Sequence, residues 1–173
     1  MTLPQFVPSH ICLACDGCCR FKDEHSSWRP KVSLEEMSQI DSQKKGLAEI
    51  VFAKESVASD GYLKTVQTQS QCHCAFFNLE KNTCSIYSQR PLECQLYPFL
   101  LIKKDVGVVM GVHLNCPYIQ QKRLTKSFDE YVVQLRKYFQ KSEVIDFIRR
   151  NPALASDYSL YQEEIEDIFL LGL

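Results

Sequence analysis

Four cysteines fall within one short run near the start of the chain, Cys12-x-x-Cys15-x-x-Cys18-Cys19. No hydrophobic periodicity accompanies them as far as Pro30, so this stretch takes its shape from whatever its thiols bind. A C-x-x-C turn brings two thiolates towards one metal while backbone N–H groups point at the sulfurs. The successive spacing of Cys12, Cys15 and Cys18 matches the opening of the bacterial ferredoxin run, whose remaining ligand is a cysteine followed by proline. Cys116-Pro117 is such a pair. Neighbouring side chains diverge, so the vicinal Cys18 and Cys19 are expected to serve two adjoining metal positions: two sites, or one polynuclear site. A second group follows at Cys72, Cys74, Cys84 and Cys94. An all-sulfur inventory selects soft or borderline metals and excludes calcium and magnesium.

The segment from Met1 to Ile11 lacks the basic and long apolar regions of a secretory signal. The expected location is therefore cytoplasmic, where thiols stay reduced and clustered cysteines act as ligands. The odd total of nine also fits disulfides poorly. Apolar runs such as Phe99–Ile102 are too short for a bilayer, so no membrane association is expected. Twenty basic against 21 acidic residues leave a net charge of −1, which gives no electrostatic case for a nucleic-acid partner. At 173 residues, 45% of them hydrophobic, the chain reads as one globular domain spanning residues 1–173.

The expected class is α+β, with a cysteine-cluster region over 1–117 and a helical region over 118–173. Ser33-Leu34-Glu35-Glu36 is a capping box opening a helix that stops near Gly46. A second helical piece is expected over Leu47–Val57, then a turn at Ser59-Asp60-Gly61 and a strand over Tyr62–Thr68. Short strands follow at Cys74–Leu79 and Cys84–Tyr87 about the turn Glu80-Lys81-Asn82. Pro91 opens a short helix through Cys94 that Pro98 ends. Phe99–Lys103 and Val106–His113 form a hairpin turning at Lys104-Asp105. Ser127-Phe128-Asp129-Glu130 caps a helix whose stripe of Phe128, Tyr131, Val132, Leu135, Tyr138 and Phe139 is core. Val144–Arg150 and Leu160–Leu171 are the last two expected helices.

The run Cys12-x-x-Cys15-x-x-Cys18-Cys19 resembles the defining motif of the CxxCxxCC, or YkgJ-type, cysteine-cluster family. The stretch Cys84-Ser-Ile-Tyr87-Ser-Gln-Arg90-Pro91-Leu-Glu-Cys94-Gln-Leu-Tyr97-Pro98 is similar to that family's C-x-I-Y-x-x-R-P-x-x-C-x-x-x-P segment, and Cys116-Pro117 fits its last cysteine. The resemblance covers Cys12 to about Pro117. It implies zinc or iron chelation by Cys12, Cys15, Cys18, Cys19, Cys74, Cys84, Cys94 and Cys116. Gln95 stands where the family commonly has a basic residue. Cys72 is an additional cysteine and is left out of that set, its reading divided between a spare ligand and a strand residue. A related cluster in flagellin lysine-N-methylases implies an iron–sulfur centre, but this chain is much shorter and methyl transfer does not carry over.

Arg90 is the expected cofactor-binding cation, donating to thiolates that keep net negative charge around a metal. Arg20 has the same chemistry but reads as a surface residue. Tyr87 and Tyr97 are read as packing. His73 falls on the opposite strand face from its flanking cysteines, and none of the four histidines has the paired spacing of zinc enzymes. The expected cofactor is an iron–sulfur cluster of the 4Fe–4S kind, serving electron transfer or a redox enzyme system, with a zinc-binding structural or metal-carrier module as the alternative. The expected partners are metal ions and a redox or enzyme protein. No phosphate loop, nucleophile elbow or dinucleotide fingerprint occurs.

Overall fold

Alternating polar and apolar residues in short runs, broken by turns every few positions, leave the first half of the chain with strands of only two or three residues. The computed structural model describes residues 3–15, 17–42, 57–58, 61–68 and 71–173. It divides into two compact units, Pro8–Cys94 and Met1–Val7 together with Gln95–Leu173. Helices and short antiparallel strands in three small sheets make the chain α+β, as the sequence implies.

In the first unit, helix α1 (Ser9–Ala14) leads through a turn to strand β1 (Arg20–Phe21). Helix α2 (Leu34–Ser42) opens on the expected capping box. The Glu36 N–H donates to Ser33 Oγ at 3.1 Å, and the Ser33 N–H donates to Glu36 Oε2 at 2.9 Å. The expected stop near Gly46 and most of Leu47–Val57, with Ser59 and Asp60, lie outside the described residues. Strands β2 (Thr65–Gln67) and β3 (Cys72–Cys74) join β1 in the order β1-β3-β2, all antiparallel. Strands β4 (Phe77–Asn78) and β5 (Thr83–Cys84) form the expected hairpin, with Asn82 at φ 50° in its turn. Tyr87 is not in a strand: Tyr87–Gln89 is a 3-10 turn leading into Arg90-Pro91. Helix α3 (Leu92–Leu96) follows Pro91 as expected. Phe21, Val32, Ile40, Leu63, Phe76 and Ile86 form the buried core of this unit, together with Cys72 and Cys74.

In the second unit, β6 (Phe99–Lys104) and β7 (Gly107–His113) pair in the register Phe99↔Val112 to Lys104↔Gly107. The hairpin lies within a residue of its expected bounds. Helices α4 (Pro117–Lys122), α5 (Lys126–Phe139) and α6 (Ser142–Arg150) follow. Helix α5 starts before Ser127, with Thr125 as its N-cap. The Thr125 hydroxyl donates to the Lys122 carbonyl at 2.6 Å and so closes the preceding helix. The stripe of α5 is core as expected at Phe128, Tyr131, Leu135, Tyr138 and Phe139, whereas Val132, also expected there, is only half-buried. Phe6 returns into this unit edge-on to Phe99, Tyr118 and Phe128.

The expected terminal helix is a correction. Ser159–Glu164 is a 3-10 turn, and Ile165–Leu170 is strand β8, so the region 118–173 is not helical throughout. β8 supplies the second neighbour of β7, where Met110 and Val112 are fully buried. Satisfying that edge and burying Phe169 outweighs the helix-forming residues Glu163, Glu164 and Glu166.

Candidate metal centre

The N-terminal run is folded by local turns rather than by packing. Pro8 accepts the N–H groups of Ile11 and Cys12 at 2.9 and 3.0 Å, which starts α1 and presents Cys12. Cys15 ends that helix in an extended conformation, its N–H donating to the Cys12 carbonyl at 3.3 Å. The Gly17 N–H then points at Cys15 Sγ, 3.4 Å away, the amide-to-sulfur arrangement expected of such a turn. Cys19 is docked by the ladder: its carbonyl accepts the Cys74 N–H at 2.9 Å.

The strands and α3 add the remaining thiols of this unit. Cys74 ends β3, Cys84 ends β5 opposite Phe77, and Cys94 lies in α3. The nine cysteines are all free thiols. Cys12, Cys15, Cys18, Cys19, Cys74, Cys84 and Cys94 form one electrostatically connected group with Cys19 at its hub, for the charge of Cys19 opposes ionisation of Cys12, Cys18, Cys74, Cys84 and Cys94. Among the described residues no three Cys, His, Asp or Glu side chains converge as ligands of a single ion.

Burial pushes the Cys74 thiol up to about 12 and that of Cys84 to about 11. It also raises Cys12, against the pull of Arg90, and holds Cys94 well above the usual thiol range. Cys19 goes the other way: a hydrogen bond from Cys18 lowers it, helped by Arg20 and Arg90. The same bond, with burial, raises Cys18.

Arg90 donates from Nη1 to Cys12 Sγ at 3.8 Å, and its guanidinium carbon lies 3.7 Å from the centre of the Tyr87 ring. The ring thus positions the cation. Glu93 was not singled out by sequence reasoning, although it adjoins Cys94. Burial lifts its carboxyl to about 8, while the Lys31 N–H, donating at 2.6 Å, opposes that shift. Cys72 is buried in the apolar core. His73 faces Arg20 and Val66 across the ladder, not the row of Cys72 and Phe21, and its ring is buried. Cys116 belongs to the other unit, where it is the buried N-cap of α4. Tyr97, in that unit as well, hydrogen-bonds His113 Nδ1 at 2.8 Å.

The donor chemistry fits a thiophilic metal group. Several thiols that resist ionisation through burial and mutual repulsion are those whose charge a metal cation offsets, and two guanidinium groups stand beside them. Among the described residues, no helix is long and apolar enough to cross a membrane. A family model, CxxCxxCC, described as "Putative zinc- or iron-chelating domain", matches residues 11–130. No solved structure matches the chain.

Proposed function

The chain belongs to the CxxCxxCC family of zinc- or iron-chelating domains, and on that premise we propose that it holds an iron–sulfur cluster for electron transfer within a redox system. One observation carries the reading: the N-terminal run, β3, β5 and α3 deliver seven connected thiols to one unit. Seven exceed the four that close a structural zinc tetrahedron, which favours a polynuclear group.

Cys12, Cys15, Cys18, Cys19, Cys74, Cys84 and Cys94 would hold the group. Cys116 joins this set on its Cys-Pro motif and family resemblance alone. A bound cluster would supply reversible one-electron chemistry. The protein's part is to surrender the thiol protons, to keep Cys74 away from water, and to offset surplus negative charge. Arg90, fixed on Tyr87 and donating to Cys12, is the residue for that last task.

Iron, zinc and acid-labile sulfide should be measured on protein purified without oxygen, together with its absorption spectrum. The expected preparation is brown, contains iron and sulfide, and bleaches with dithionite. A colourless preparation with stoichiometric zinc and no sulfide would replace the cluster by zinc and leave a chelating domain.

A further inference from the structure

Arg20 follows the last cysteine of the N-terminal run, and the structure fixes its head group instead of leaving it in solvent. Nη2 donates to Asn82 Oδ1 at 2.8 Å, and the guanidinium carbon lies 4.5 Å from the centre of the Phe77 ring. Across the ladder Arg20 is paired with His73. Its Nη1 is buried and has no hydrogen-bond partner among the described residues. A buried guanidinium N–H without a partner is costly, and more so because the group is charged. Cys19, the next residue back, feels this guanidinium, whose positive charge favours its thiolate form.

Asn82 is the other half of the arrangement. At φ 50° it occupies the left-handed region, which Asn tolerates better than most residues. It stands two positions before Cys84 and accepts from a residue one position after Cys19. This single hydrogen bond therefore ties the stretch bearing Cys18 and Cys19 to the hairpin bearing Cys84.

Resting on the metal-binding reading above, we propose that Asn82 is a positioning residue for the thiol centre: it clamps the Arg20 guanidinium beside Cys19, fixing a positive charge there and holding the two cysteine-bearing segments together. Phe77 is the floor of the clamp. The partner it serves is a metal–thiolate group with surplus negative charge.

The test uses cobalt(II) on the full chain, read by thiolate-to-cobalt absorption in competition with a chelator. Arg20→Gln should weaken retention about tenfold, the lower end for a residue supporting metal ligands. Asn82→Gly keeps the left-handed turn but loses the acceptor, and should weaken retention by a similar or smaller factor. Because Asn82 acts through Arg20, the double variant should bind no worse than Arg20→Gln alone. Asn82→Asp retains an acceptor oxygen and should restore most of the affinity. Melting curves of the metal-free chains check folding; should Arg20→Gln not fold, the Asn82→Gly and Asn82→Asp pair decides. Additive losses in the double variant, or wild-type affinity in both single variants, would overturn the clamp alone. A wild-type chain that never develops thiolate–cobalt absorption would overturn the metal reading and the clamp with it.

Discussion

Glu36 caps two helices at once, and removing it should cost more than a capping residue normally does. Its Oε2 accepts the Ser33 N–H at 2.9 Å, and its Oε1 accepts the Leu92 N–H at 2.5 Å. The first bond closes the start of α2, and the second satisfies an orphan donor at the start of α3, the helix that carries Cys94. Loss of a cap costs about 1 kcal/mol, and loss of a hydrogen bond to a charged group about 1.5–3 kcal/mol. Glu36→Ala should therefore destabilise this unit by about 2–4 kcal/mol. Part of that is recovered because the charge of Glu36 opposes ionisation of the buried Glu93. Glu36→Gln keeps one acceptor oxygen and should fall between Ala and wild type. Since the chain has two compact units, a single melting temperature is a poor readout. Amide hydrogen exchange at Leu92 and Ser33 reads the two bonds separately, and 3 kcal/mol corresponds to roughly a hundredfold faster exchange. If Leu92 exchanges at the wild-type rate in Glu36→Ala, the double-cap reasoning is wrong.

Two further outcomes are expected. Stripped of metal, the chain should lose stability as pH rises: Glu93, raised to about 8, already makes it fall through neutral pH, and above about 8.5 the thiols continue the loss towards pH 12. The sign follows from Cys74, raised to about 12: above about 8.5 the unfolded chain has released a proton that the folded chain still holds. Urea midpoints across that range measure the loss, and a midpoint that does not move between pH 8 and 11 would contradict it. In the other unit, Gly111→Ala should destabilise by about 1–3 kcal/mol, because a Cβ would strike Ile102 Cδ1 and come within 3.0 Å of Ile165 Cγ2 at the bulge between β7 and β8. Gly172→Ala, with open space around it, is the control and should melt with wild type.

The parts legible in the sequence are those governed by local rules. The capping box at Ser33–Glu36, Pro91 before α3, and the stripe from Phe128 to Phe139 each depend on residues a few positions apart. The second bond of Glu36, to Leu92, spans 56 positions and leaves no local trace. The same is true of Arg20 and Asn82, 62 positions apart. Strand β8 reads as a helix in the sequence because its apolar Ile165, Ile168 and Phe169 fit a helical face as well as a strand. The choice is made by β7, whose second edge no local pattern reveals. At the site, the spacing of Cys12, Cys15, Cys18 and Cys19 marked the run. The burial of Cys19, Cys74, Cys84 and Cys94 comes from the core around Phe21, Leu63 and Phe76, contributed by three distant stretches.

Charge explains why, on the proposed reading, these thiols would belong with a metal rather than with one another. Burial and the charges of neighbouring sulfurs raise Cys12, Cys74, Cys84 and Cys94, the bond to Cys19 with burial raises Cys18, and the same bond lowers Cys19. Arg90 and Arg20 bring two positive charges beside that hub. Two guanidinium groups cannot balance seven thiolates, so full ionisation requires cationic charge from outside the protein. Metal binding and proton release are then one event, and the affinity for metal must rise with pH. The stretch from Cys12 to Cys19 has little apolar periodicity of its own, so on the proposed reading the same binding free energy that expels the protons would also hold this segment against the core.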